Sequence, residues 1–356
     1  MIKRIISAVL ALALPAVFLL PAVALAPASP LELSEWLNKA VDRQFSKIDR
    51  LDNLAPSILL TSGVREYDGI FITDDYLIEN ITQKDPQISQ SNLSGIEAFI
   101  SAHSVPATVM LIPTACTIKQ QNIPSGATIF NQRLLINQVY EQLSGSASTV
   151  DAYTELFSAK DQYIYYRTES NLTGLGGYYV YSALASRLAL GKRSLDQFEL
   201  EHLSQDFYGD LYNRSVYKDI RPDIITLYRF SRYNREYMVT HTKNDESKNY
   251  YMLFPNHLAV TEDLESVLFG GEGQRIDISV ISPYEESLLI FADNTYTSYL
   301  PFLLIHYGSV TLINLENSTF EQLNELDINN YDQVLFACSV DSFINRPVFS
   351  SASVIN

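Results

Sequence analysis

The sequence predicts an α/β protein whose central sheet is mostly parallel. The chain of 356 residues is 47% hydrophobic and 19% charged, a composition typical of a folded protein with a large core. Thr108–Ile112 is an uninterrupted apolar run of the kind found in strands that are buried on both faces. Strand-like and helix-like segments then alternate between residues 287 and 342, which favours βαβ units and parallel pairing.

The remaining elements follow in chain order from the same patterns. A strand pair is predicted around Asp74–Asp75, and amphipathic helices are predicted over 131–143 and 176–190. The aromatic stretch Tyr163–Tyr166 is predicted to be a strand that runs into a polar turn. Residues from about 205 to 282 alternate in polarity and are rich in Arg, Tyr and Asn, so we interpret them as a β-rich insertion.

The N-terminus has the pattern of an export signal. Lys3 and Arg4 precede an apolar run that ends in small residues at Ala24–Ala26. The first 26 residues are therefore interpreted as a signal peptide or as a signal anchor that contacts the membrane if it is not cleaved. Either interpretation places the protein outside the cytoplasm, secreted or anchored. Residues 27–56 are predicted to be a helical spacer and 57–356 the folded domain.

Charge and motif spacing exclude several classes of function. The formal net charge of -16 argues against nucleic acid as a partner, because no basic stripe is present to neutralise phosphates. No CxxC, HxH or HExxH spacing predicts a metal site. The glycine-rich segment Gly270–Gln274 lacks the Gly-Lys-Ser/Thr ending of a phosphate loop. The sequence therefore predicts no metal and no cofactor.

The two cysteines, Cys116 and Cys338, are the only ones in the chain. Outside the cytoplasm such a pair can form one disulfide. Their spacing alone favours two buried free thiols.

Polar residues cluster where the predicted strands end. In parallel sheets ligands bind beyond the carboxyl ends of the strands, and the polar groups expected there are Glu169–Asn171, Asp293–Asn294 and Ser339 with Asp341. None of these loops contains a histidine, whereas a Ser-His-Asp hydrolase needs an imidazole beside its hydroxyl. His306 lies in a predicted helix, where a structural role is favoured over that of a base.

The motifs and their order resemble the DHHW family of exported bacterial proteins. That family is similar in turn to the SGNH-hydrolase-like domains of alginate O-acetyltransferases. The segments that carry the resemblance are, in order, MLIPTA, YIYYRTESNLTGLGGYYVY, FYGDLY, PDIITLY, VLFGGEGQ and LLIFADNTYTSYLPFLLIHYGSVTLINL. They fall within residues 60 to 345.

The resemblance implies an SGNH-hydrolase-like three-layer fold with a circularly permuted motif order. It also implies that the Thr108 strand lies beside the Val334 strand, with Cys116 and Cys338 just beyond their carboxyl ends. A disulfide between these two cysteines therefore stays open as an interpretation.

The residues that carry chemistry in the family are replaced in this chain. The family signature Thr-Asp-His-His-Trp-Thr corresponds to Thr168–Thr173, where Glu169 replaces the aspartate. Ser170 and Asn171 replace the two histidines, and Asn294 occupies the position of the serine nucleophile. Without that hydroxyl and an imidazole there is no acyl acceptor, and nothing nearby titrates near neutral pH. The resemblance therefore implies a member without catalytic activity.

The leading hypothesis is a protein that binds a cell-envelope polysaccharide or a membrane-bound acyltransferase in its former active-site cleft. The candidate binding residues are Glu169, Ser170, Asn171, Tyr179, Glu272, Asp293 and Asn294. One alternative is an active carbohydrate O-acetylesterase or O-acetyltransferase that uses other residues, such as His306 with Ser298. The other alternative is a structural surface protein whose cleft is filled.

Overall fold

The computed structural model describes residues 65–230, 236–244, 246–255, 273–281 and 283–355. The predicted export signal, the helical spacer and Glu272 lie outside these residues. Within the described ranges, no helix combines the length and the apolar character needed to cross a membrane.

The secondary structure alternates as expected for an α/β protein. The strands are β1 Glu66–Tyr67, β2 Ile70–Ile72, β3 Leu77–Glu79, β4 Ala107–Ile112, β5 Ser148–Thr149, β6 Phe198–Phe207, β7 Asp223–Phe230, β8 Tyr237–Lys243, β9 Glu246–Tyr250, β10 Arg275–Val280, β11 Ser287–Ala292, β12 Ser309–Ile313 and β13 Gln333–Ser339. The α-helices are α1 Pro86–Ala102, α2 Ala115–Ile118, α3 Gln132–Gln142, α4 Ala152–Ser158, α5 Gly174–Arg187, α6 Asp210–Arg214, α7 Tyr296–Leu303, α8 Phe320–Asn324 and α9 Val340–Asn345. The strand pair around Asp74–Asp75 is confirmed as the antiparallel β2 and β3.

The main sheet has the strand order β5-β4-β13-β11-β12-β10-β8-β9. The strands from β5 to β12 pair in parallel, and those from β12 to β9 pair antiparallel. The predicted parallel core is therefore confirmed, as is the placement of the Thr108 strand beside the Val334 strand. Its carboxyl ends meet at one edge, which is where the fold leaves room for a site.

The β-rich insertion extends this sheet at its antiparallel side. It contributes β8, β9 and β10 to the main sheet, while its β7 forms a separate two-stranded ribbon with β6. Because β6 begins at Phe198, the β-rich region starts earlier than the predicted boundary near residue 205. The ribbon matters for the site because Asp223, the first residue of β7, reaches back to the polar loop that begins at Arg167.

Two apolar layers cover the two faces of the sheet. Along β13, Leu335 and Ala337 belong to one layer, while Val334, Phe336 and Cys338 belong to the other, as the alternation of side chains along a strand requires. The first layer includes α5 and α7, and the second includes α1, α3 and α9. Helices on both faces of one sheet give the three-layer architecture.

The two cysteines lie in different layers of this core. Cys116 of α2 packs in the first layer and Cys338 of β13 in the second. Both are buried free thiols, so the disulfide that the family resemblance left open is not formed. Burial raises the pKa of the Cys116 thiol to about 12 and raises the pKa of Cys338 well above its ordinary value.

The aromatic stretch Tyr163–Tyr166 is not the strand that the sequence predicted. Tyr165 makes only an isolated bridge with Leu172. The chain folds back on itself, with the Tyr166 amide donating to the Asn171 carbonyl at 3.1 Å. The stretch looks strand-like in sequence because Ile164 and Tyr165 are buried in the core, not because a neighbouring strand pairs with it.

Candidate functional site

A cavity of about 190 Å³ opens at the carboxyl ends of the parallel strands. Thr114 and Ala115 line it after β4, and Asp293–Thr295 line it after β11. Ser339, the last residue of β13, and Ser342 complete this side. The polar loop closes one side with Glu169–Leu172. Three consecutive parallel strands and one loop therefore bring together residues that are far apart in sequence.

Most of the residues predicted for the site meet in this cavity. Glu169, Ser170, Asn171, Asp293 and Asn294 all line it. These side chains therefore surround one small volume at the place where the sequence analysis put a cleft.

Tyr179 does not join this cluster. It lies on α5, where it packs against the first core layer, and its hydroxyl accepts a hydrogen bond from the Gln162 Nε2 at 2.8 Å. Its contacts support packing of α5, and it is absent from the cavity wall that the structure describes.

Asp293 connects the ends of β11 and β13. Its Oδ2 accepts hydrogen bonds from the Ser339 amide at 3.0 Å and from the Ser339 hydroxyl at 2.9 Å. Its Oδ1 accepts from the amide and the hydroxyl of Thr295. The carboxylate is only 3% exposed, and these donors compensate its burial. Asp293 therefore fixes the floor of the cavity.

Glu169 holds the polar loop against helix α6. Its Oε1 accepts a hydrogen bond from the Ser170 amide at 2.9 Å, and its Oε2 accepts one from the Asp210 amide at 2.8 Å. The loop and the start of α6 approach so closely that a Cβ on Gly209 would lie 2.6 Å from the Glu169 Cβ. The Glu169 carboxylate therefore positions two backbone segments, the polar loop and the start of α6.

Asp223 is the positioning residue that the sequence analysis missed. It is fully buried, and its Oδ1 accepts from the Arg167 amide at 2.6 Å and from the Tyr163 hydroxyl. Its Oδ2 accepts from the amide and the hydroxyl of Thr168. Burial, followed by the bond to Asp223, raises the pKa of Tyr163 well above its ordinary value. In the sequence Asp223 stood out only as part of the segment PDIITLY, one of those that carry the family resemblance.

The threonine frame of the loop is also intact. Thr173 caps α5 by accepting a hydrogen bond from the Gly176 amide at 3.2 Å, and its hydroxyl donates to the Tyr163 carbonyl at 2.7 Å. A Cβ on Gly176 would lie 2.1 Å from the Ile164 carbonyl oxygen. The glycine is therefore required for the helix to start this close to the loop.

The histidines of the described chain lie away from the cavity wall. The His306 ring is buried, and its Nε2 shares a hydrogen bond of 2.9 Å with the Tyr181 hydroxyl. The Ser298 hydroxyl donates to the Thr295 carbonyl at 2.8 Å, and neither residue is among those that line the cavity. The alternative catalytic pair His306 and Ser298 therefore gains no support from the structure.

The cavity can bind polar groups through carboxylate, amide and hydroxyl side chains. The part of its wall that the structure describes supplies no imidazole, which is the group that transfers protons near neutral pH.

The three-layer architecture, with a cavity at the carboxyl edge of its parallel strands, defines an α/β protein with an SGNH-hydrolase-like fold. The family model described as "DHHW protein" matches residues 86–313, which is well over half of the chain. This protein belongs to the DHHW family.

Solved structures show the same fold. A DHHW family protein from Eubacterium siraeum DSM 15702 is similar over 80% of this chain and 95% of its own, with 20% identity and a TM-score of 0.64. Bacillus cereus PatB1 is similar over 79% of this chain and 98% of its own, with 14% identity and a TM-score of 0.63. A search of curated proteins finds no match.

Proposed function

We propose that this protein is a DHHW family member without catalytic activity that binds a saccharide of the cell envelope in the cavity. The observation that carries the proposal is the cavity itself. Positions 169, 171 and 294 converge on one open volume, yet they hold Glu, Asn and Asn. The family resemblance implies an Asp-His pair and a serine nucleophile at these positions.

The retained scaffold supports binding over a purely structural role. A filled cleft would leave no volume at the carboxyl edge of the sheet, whereas about 190 Å³ is open here. That volume is smaller than the ~300 Å³ at which pockets for drug-sized ligands begin. It therefore suits one sugar ring or a substituent on it better than a protein partner. The export pattern of the N-terminus supports a saccharide of the cell envelope.

The experiment measures binding and turnover on the same purified full chain. We expect titration calorimetry to detect binding of solubilised envelope polysaccharide, and an activated acetyl ester to be hydrolysed no faster than in buffer. The variant Asn171→Trp fills the cavity with an indole ring. It is expected to abolish the binding signal.

A matched substitution separates this effect from a general one. Asn213→Trp places the same ring on the exposed surface of α6, and we expect it to bind like the original protein. Ester turnover that disappears in Asn171→Trp would instead show an active enzyme. Binding that survives in Asn171→Trp would place the ligand elsewhere.

A further inference from the structure

Two of the charged residues that line the cavity are already neutralised. Glu79 forms an ion pair with Arg214 at 2.8 Å. Arg346, the cation of the described wall, pairs with Glu316 through a 3.0 Å bond from its Nε and a second bond from its terminal nitrogen. The bond to Glu316 raises the pKa of Arg346. Each of these two ion pairs is neutral overall, so neither adds a net charge to the cavity.

Three carboxylates of the same wall form no ion pair with Arg346, although Arg346 attracts Asp293 and Asp341 from a longer distance. Glu169, Asp293 and Asp341 line the cavity, and within the described ranges none of them forms an ion pair with a basic side chain lining it. The carboxylate oxygens of Glu169 and Asp293 already accept hydrogen bonds from the loop groups described above. Asp341 accepts one bond, from the Asn345 Nδ2 to its Oδ1 at 2.9 Å, which leaves its Oδ2 available to a ligand. The cavity therefore carries a net negative charge.

Neutral polar side chains in the cavity also have unused hydrogen-bonding capacity. Ser342 lines the cavity and is only 4% exposed, yet its hydroxyl bonds to no residue that the structure describes. The side-chain amide of Asn171 lines the same volume and likewise has no partner in the described chain. The Ser342 hydroxyl is not among the fully enclosed unpaired side-chain atoms of the described residues, so a polar ligand atom in the cavity can reach it and pair with it.

We propose that the cavity recognises a primary ammonium group on a hydroxyl-bearing compound, as in an amino sugar whose nitrogen is not acetylated. This inference rests on the proposed function and specifies its ligand. An ammonium group has three donors and no acceptor, which matches a free carboxylate oxygen in a negative cavity. The hydroxyls of the sugar complete the site by exchanging hydrogen bonds with Ser342 and Asn171.

The same charge disfavours the opposite class of ligand. A uronate or a phosphate-bearing polymer brings negative charge into a cavity whose described wall holds more carboxylates than cations, and like charges at short range oppose binding. The cavity should therefore discriminate among polysaccharides by the charge of a single substituent.

The test compares two probes that differ only at nitrogen. The trisaccharide of glucosamine and its fully N-acetylated counterpart are titrated into the full chain below the pKa of the sugar amine. A hydrogen bond between the ammonium group and a carboxylate adds to the free energy of binding. We therefore expect the amine form to bind at least about tenfold more tightly than the N-acetylated form. Asp341→Asn keeps the acceptor for Asn345 and removes the charge, and it is expected to weaken binding of the amine form about tenfold.

A matched control removes an equal charge elsewhere. Glu97→Gln changes an exposed carboxylate of α1 that does not line the cavity, so it tests whether the net charge of -16 attracts the probe non-specifically. We expect this variant to bind the amine form unchanged. Circular dichroism of both variants verifies that the fold is retained.

Other outcomes separate this inference from the proposed function. Equal binding of the two trisaccharides, lost in Asn171→Trp, would overturn the ammonium preference and leave saccharide binding in place. Tighter binding of an oligouronate, or equal weakening by Glu97→Gln and Asp341→Asn, would also overturn it. Binding of neither trisaccharide overturns the inference, while binding of envelope polysaccharide still decides the proposed function.

Discussion

At the scale of single residues, Asp223 determines the shape of the polar loop. It is fully buried, and the Arg167 and Thr168 amides both donate to its carboxylate. Asp223→Asn would turn an NH₂ group toward one of these donors. A buried donor would then lose its acceptor, so we expect the free energy of unfolding in urea to fall by about 3 kcal/mol.

The control for this prediction is an exposed aspartate with a simple ion pair. Asp210 bonds to Arg214 at 3.1 Å, and its side chain is 61% exposed. Asp210→Asn is therefore expected to cost less than about 1 kcal/mol. Equal losses in the two variants would contradict a special role for Asp223.

Lys119 makes stability depend on pH. It is 3% exposed, and its Nζ donates to the Gln162 carbonyl at 2.7 Å. Burial lowers its pKa from 10.5 to about 8. Between these values the unfolded chain holds a proton that the folded chain has released, so this lysine makes stability rise with pH across that window.

Removing the amine should remove that dependence. In the original protein, Lys119 adds up to about 1.4 kcal/mol per pH unit to the slope of unfolding free energy against pH between the two pKa values. We expect Lys119→Met to remove this contribution to the slope. Urea titrations of both proteins at several pH values across the window measure the difference in slope. Parallel curves would show that Lys119 titrates normally in the folded protein.

At the scale of elements, helices α5 and α7 approach each other through a glycine. A Cβ on Gly177 would lie 1.9 Å from the Ser298 carbonyl oxygen. Gly177→Ala must therefore separate two buried helices, and we expect it to lower the free energy of unfolding by about 3 kcal/mol. Urea denaturation measures this loss.

Gly191 provides the matched substitution. A Cβ there meets no atom within 4 Å, so Gly191→Ala is expected to change stability by less than about 0.5 kcal/mol. A small loss in Gly177→Ala as well would mean that α5 and α7 can move apart at little cost.

At the scale of the whole molecule, the order of the strands brings two asparagines that are remote in sequence to one cavity. Asn171 lies on the polar loop and Asn294 follows β11, and both line one cavity. The family resemblance implies that Asn294 and Asn171 stand at the nucleophile and base positions, so Asn294→Ser alone should stay inactive because no base accompanies the new hydroxyl. Adding Asn171→His should raise hydrolysis of an activated acetyl ester at least about 100-fold above the single variant.

Asn171→His alone is the control for this rebuilding, since it adds a base without a nucleophile. Interdependent catalytic groups contribute little singly, so neither single variant should exceed the rate in buffer. A single Asn294→Ser variant as active as the double variant would show that another residue serves as base.

The sequence alone was sufficient for the parallel core. The apolar run at Thr108–Ile112 and the alternation after residue 287 depend on local periodicity, which a strand or helix displays in its own residues. The aromatic stretch Tyr163–Tyr166 was misassigned because burial in a core and burial in a sheet leave the same apolar pattern. Only the pairing partner distinguishes them, and pairing is a property of the tertiary structure.

By itself the sequence determined the fold class and the family, and it showed that residues 168–173 contain no histidine and that position 294 is an asparagine, because each is a statement about residue identity and order. The tertiary structure decided that five of the candidate residues share one cavity while Tyr179 does not. It also decided that Asp223 holds the loop, and that Cys116 and Cys338 lie in different core layers. These facts depend on distances between residues remote in the chain, which strand order and register determine.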